Sequence, residues 1–75
     1  MSATFWVISD GGEAGVGDVV ALDPVSLGLD RDSVGVIVGV TDRGCPLVEV
    51  VTGSRAGARL GVWPWQVLLR VRKGV

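Results

Sequence analysis

The chain has no histidine, no tyrosine and a single cysteine, Cys45, among its 75 residues. Those absences remove the side chains most used for general acid–base work near neutral pH, for zinc ligation and for redox exchange. A lone cysteine also excludes an internal disulfide, so a domain this small must hold by packing or by association, and a reducing cytosol is the favoured compartment. Long apolar runs are missing as well. No stretch approaches the roughly 18 to 20 residues that cross a bilayer as a helix, and no basic amphipathic helix is present to lie on one. Met1 to Asp10 has no basic n-region and meets an acid after a short apolar run, unlike a secretory signal. Basic charge is not in excess. Seven Lys and Arg stand against eight Asp and Glu, for a net of −1, which lacks the surplus that counterion-release binding to nucleic acid uses.

What the chain has is glycine and valine. Twelve glycines and three prolines break it every few residues, and a hydrophobic fraction of 48% is too high for disorder and high for one small core. The segments between the breaks are β-branched and read as strands, so the expected class is all-β with helix nearly excluded. A short N-terminal strand is expected over Thr4 to Ser9, followed by a glycine-rich turn at 10–15. Further strands are expected over 18–22, 34–41, 47–52, 59–63 and 67–72. Asp23 to Ser33 carries a proline, a glycine and four charged residues without strict alternation and reads as a long irregular loop. Pro64-Trp65-Gln66 reads as a turn of 3₁₀ type, because proline cannot donate to a ladder.

Within these strands the period of two predicts faces. Val34, Val36, Val38 and Val40 are expected to face the core, with Gly35 and Gly39 leaving the other face thin for curvature or close approach by another chain. Val48 and Val50 are expected on one face of the return strand with Glu49 on the other, and Val67, Leu69 and Val71 inward with Leu68 and Arg70 out.

The words GVGDVVALDP (Gly15 to Pro24), VGVIVGV (Val34 to Val40) and WPWQVLLRV (Trp63 to Val71) resemble the opening, second strand and closing turn of an SH3-like barrel. More narrowly they resemble short SH3-like proteins of tailed bacteriophages, from which the chain departs by its Thr4 to Ser9 strand and by Trp-Pro-Trp in place of one aromatic. A chain of 75 residues allows one domain over 1–75; within it the resemblance implies a five-stranded barrel at 15–72, preceded by an N-terminal strand and turn at 1–14 that the resemblance does not cover. It also implies a virion component, such as a capsid decoration or tail accessory protein, or an early protein of no stated role; the fold alone carries no function.

Few constellations point to chemistry. The glycine cluster at 11–17 has no Lys-Ser/Thr pair after it and no helix start, so it reads as a turn and not a phosphate cradle. Asp23, Asp30 and Asp32 share a loop but lack the spacing and terminal glutamate of a calcium loop. Cys45 lies near Arg43, yet no histidine is present to serve as its base. We therefore expect no enzyme, no cofactor and no metal.

Two features stand out. Phe5, Trp6, Trp63 and Trp65 hold every aromatic ring in two short stretches, for use in the core or at an interface. Charge is also ordered along the chain: residues 1–42 hold seven acids against Arg31, and residues 43–75 hold six bases against Glu49. Kept on separate surfaces, the halves would favour rings or lattices; interleaved, they would pair internally. The leading expectation is an assembly module that binds copies of itself or a larger scaffold, in a virion or the cytoplasm. Its expected interface residues are Phe5, Trp6, Trp63, Trp65, Arg55 and Arg59, and its N-terminal strand is a candidate to join a neighbour's sheet. The alternatives are a nucleic-acid-binding module of the KOW kind, using arginines interleaved with tryptophan, and a groove for proline-rich peptides at Trp63 or Trp65.

Overall fold

The computed structural model describes residues 4–72. The fold is all-β: β1 (Phe5–Val7), β2 (Glu13–Gly15), β3 (Val19–Leu22), β4 (Val34–Val40), β5 (Pro46–Val50), β6 (Arg59–Gly61) and β7 (Val67–Arg72), with one helical turn, α1 (Pro24–Leu27), and a 3₁₀ turn at Pro64–Gln66. Five strands form an antiparallel sheet in the order β6-β5-β4-β3-β7, and β1 pairs with β2 as a separate hairpin. The expected barrel is therefore an open sheet, because β6 is only three residues long, runs into Trp63-Pro64 and does not pair with β7.

The N-terminal hairpin does the closing. Ser9 N–H donates to Val67 O at 2.9 Å, Gly17 N–H to Ile37 O at 2.8 Å, and the Trp6 indole N–H to Gly44 O at 2.8 Å, so the hairpin is tied to three parts of the sheet. Trp6, Ile8 and Ala14 join Val20, Leu22, Ile37, Val48, Val50, Val62 and Val67 in one buried cluster. The N-terminal strand thus pairs within its own chain, with β2, a segment that reads from sequence as part of a turn. Phe5 lies opposite Gly15, and a Cβ there would come within 2.9 Å of the Phe5 ring, so the glycine gives the ring room.

The face of β4 is the reverse of the expectation. Gly35 and Ile37 are buried, Val34 and Val36 are half-buried, and Val38 and Val40 are exposed. The reason is crowding: a Cβ at Gly35 would fall 2.5 Å from Val48 Cγ1, 2.9 Å from Glu49 O and 3.0 Å from Leu22 Cδ1, so the sheet curls around a position with no side chain. The close approach that Gly35 permits comes from this chain's own strands. In β5, Val48 and Val50 are buried and Glu49 is not, as the alternation predicts. In β7 only Val67 is buried; Leu69 and Val71, expected inward, are exposed. Register shifts between Val19 and Val20 and between Ala21 and Leu22 break the alternation along β7.

The irregular loop expected at 23–33 contains α1. Asp23 caps it, accepting from Val25 N–H at 3.1 Å and Ser26 O–H at 2.9 Å; Pro24 opens the turn and Gly28, at φ +66°, ends it in the left-handed region. Asp30 likewise holds a loop together, accepting from Ser54 N–H at 2.7 Å. Among the described residues no three of histidine, cysteine, aspartate and glutamate gather as metal ligands, and no helix is long and apolar enough to cross a membrane.

Candidate interaction surface

Three of the four aromatic rings reach solvent. Phe5, Trp63 and Trp65 are 55%, 51% and 57% exposed, whereas Trp6 is 7% exposed. Trp6, expected as an anchor beside Phe5 and Trp65, is instead a core residue, and its indole N–H is spent on Gly44 O.

The local chain dictates this division. Trp63 is extended before Pro64, at φ −76° and ψ 149°, and the 3₁₀ turn that follows points Gln66 inward and leaves Trp65 out. Gln66 can be buried because its carboxamide is used at both ends. Its Oε1 accepts from Trp63 N–H at 2.8 Å and its Nε2 donates to Ser26 Oγ at 3.2 Å. Asp23 N–H donates to Gln66 O at 2.9 Å, so the start of α1 and the 3₁₀ turn form one hydrogen-bonded unit. Sequence reading placed Gln66 in the turn but gave it no role. The available signal is one amide in the otherwise apolar run Val62 to Leu69.

β1, which carries Phe5, packs beside the 3₁₀ turn that carries Trp65. Trp63 stands at a cleft of about 350 Å³ walled by the β4–β5 turn (Thr41, Asp42, Arg43, Cys45) and the end of β6 (Gly61, Val62). The Trp6–Gly44 bond fixes that turn from the side of the hairpin. The cleft thus offers an aromatic wall, one acid, one base and a half-buried thiol.

The two arginines expected at the interface lie elsewhere. Arg59 pairs with Glu49 at 3.1 Å across β5 and β6. Arg55 belongs to the loop after β5, at the opposite end of that strand from the turn that walls the Trp63 cleft. The order of charge along the chain is partly interleaved by folding: Arg70 lies 3.9 Å from Asp18, and the Ser54 amide with Arg55 nearby holds the Asp30 carboxyl below its ordinary value of 3.8. Lys73, counted in the basic half, is outside the described residues.

Of the three exposed rings, Trp63 lines the cleft and Phe5 and Trp65 lie outside its lining. In comparisons with known proteins, no family model, no curated protein and no solved structure matches the chain.

Proposed function

We propose that the protein is a non-enzymatic assembly module that docks on a protein surface, its own or a larger scaffold's, through Phe5, Trp63 and Trp65. The supporting observation is the division of the rings: Trp6 alone serves the core, and the other three are more than half exposed on adjoining elements. Burying a ring of this kind at a protein contact contributes on the order of 1.5 to 3 kcal/mol, so leaving three in water is a large unused resource. The virion role implied by the resemblance to small phage proteins is the specific form of this proposal, with a capsid or tail protein as scaffold. Nucleic acid is the weaker reading, since Arg59 and Arg70 are engaged by acids and Arg43, the base that shares the Trp63 cleft, has Asp42 beside it there.

The test is solution mass by light scattering at low and high salt, for the natural chain and for Trp65→Ala. Trp65 is 57% exposed and makes no side-chain hydrogen bond among the described residues, so the variant should fold at a cost of up to about 2 kcal/mol for the buried part of the ring, while self-association, or capture by an added scaffold protein, falls. Undiminished association in a folded Trp65→Ala protein refutes the assigned role.

A further inference from the structure

We propose that the outward edge of β7 accepts an extended, acidic strand from a partner protein and adds it to the sheet. This goes beyond the docking reading above: it names a second surface, apart from the exposed rings, and the chemistry of its partner. β7 is the last strand of the five, bonded on one side to β3. On its other side the hairpin reaches only as far as Val67, through Ser9 N–H, and no segment among the described residues pairs with the edge from Leu68 onward. An open edge is a template for another strand, and natural sheets guard such edges with charge and bulges.

Here the guards are also a filter. β7 carries Arg70 and Arg72 and no acid, so pairing with a second copy of itself would set bases against bases. A strand bearing glutamate or aspartate meets no such penalty. Arg70 already has Asp18, but Arg72 makes no ion pair among the described residues. Arg72 lies opposite Val19 and Leu69 opposite Ala21, and both residues thus share the outer face of the sheet. A groove of about 440 Å³ that Leu68 and Leu69 share with Ala21, Val34, Arg31 and Asp32 lies inward of β7, towards β3 and β4, and is separate from the open edge. The edge therefore offers main-chain bonds, the exposed Leu69 side chain on the outer face for an apolar residue of the added strand, and Arg72 as a cation for its acids.

The test uses a fluorescent peptide alternating valine and glutamate, a matching valine–lysine peptide, and the glutamate peptide with alternate backbone nitrogens methylated, each titrated into the natural protein by anisotropy. The glutamate peptide should bind, the lysine peptide should bind at least about ten-fold more weakly, and methylation should abolish binding by removing the ladder. Amide exchange should slow within residues 68–72 when the glutamate peptide is bound. An Arg72→Glu variant should bind it about ten-fold more weakly; the methylated control uses the natural protein, so misfolding cannot mimic the result. No binding of the glutamate peptide, or equal binding of its methylated form, overturns the proposal. That failure leaves a Trp65-dependent association standing, and a failure of the Trp65 test leaves peptide binding at β7 standing, so the two are separable.

Discussion

Alanine at position 35 sets one methyl group against the curvature of the whole sheet. The added Cβ would meet Val48 Cγ1 at 2.5 Å, Glu49 O at 2.9 Å and Leu22 Cδ1 at 3.0 Å. Two of these atoms belong to side chains of the buried cluster, and the third is a carbonyl on the strand that pairs with β4. Relief needs either a shift of packed side chains or a looser β4–β5 pairing. Overpacking of this kind costs about 1 to 3 kcal/mol, and the Glu49 carbonyl puts position 35 in the upper part of that range. Replacing glycine within a strand returns about 0.5 to 1 kcal/mol, so Gly35→Ala should destabilise by about 2 kcal/mol. For a domain of this size that lowers the melting temperature by about 8 to 16 °C.

Gly39→Ala, on the same strand, is the internal control. Its Cβ would lie 3.7 Å from Leu47 Cδ2, an ordinary contact. It should be neutral or raise stability by up to about 1 kcal/mol. Urea unfolding of the three proteins, followed by tryptophan fluorescence and fitted with a common slope, reads the difference directly. Equal midpoints for Gly35→Ala and Gly39→Ala would refute the claim that crowding at Gly35 sets which face of β4 is the core.

Two further outcomes follow from the polar contacts. Gln66→Ala removes the acceptor for Trp63 N–H and the donor to Ser26 Oγ, and should cost about 1 to 3 kcal/mol in the same unfolding assay; a change under about 0.5 kcal/mol would show that the link between α1 and the 3₁₀ turn contributes nothing. Asp30 is held below its ordinary value of 3.8 by the Ser54 amide, so its contribution is complete above that value and is lost as pH falls through the lowered value of the folded state. The stability gap between the natural chain and Asp30→Ala should then be constant near neutrality and close in acid; a gap that widens in acid would reverse the assigned sign.

Much of the architecture was legible in the order of residues. Glycine and proline mark the strand ends and valine fills the strands between them, so five strands of the large sheet and the Pro64 turn lie close to where the alternation places them. Asp23, Pro24 and Gly28 are a cap, a first-turn proline and a terminator written in sequence, and α1 was missed only because four residues give no hydrophobic period. Those features are local, and local chemistry determines them.

Other features depend on what a residue meets across space. The period of two in Val34 to Val40 is compatible with either face; only the arrival of Leu22, Val48 and the Glu49 carbonyl at Gly35 assigns the core to Gly35 and Ile37 and turns the valines outward. β2 exists because β1 lies beside it, and nothing in Glu13-Ala14-Gly15 alone demands a strand. Trp6 and Trp65 are the same residue type, yet Trp6 is buried and Trp65 is not. The first is drawn inward by the hairpin and its bond to Gly44 O, and the second is displaced by a Gln66 whose amide finds partners on two elements. The sequence by itself determined the class, the breaks and the strands, because propensity acts within a few residues; which faces and rings remain in water was decided only by tertiary packing, because burial belongs to pairs of segments far apart in the chain.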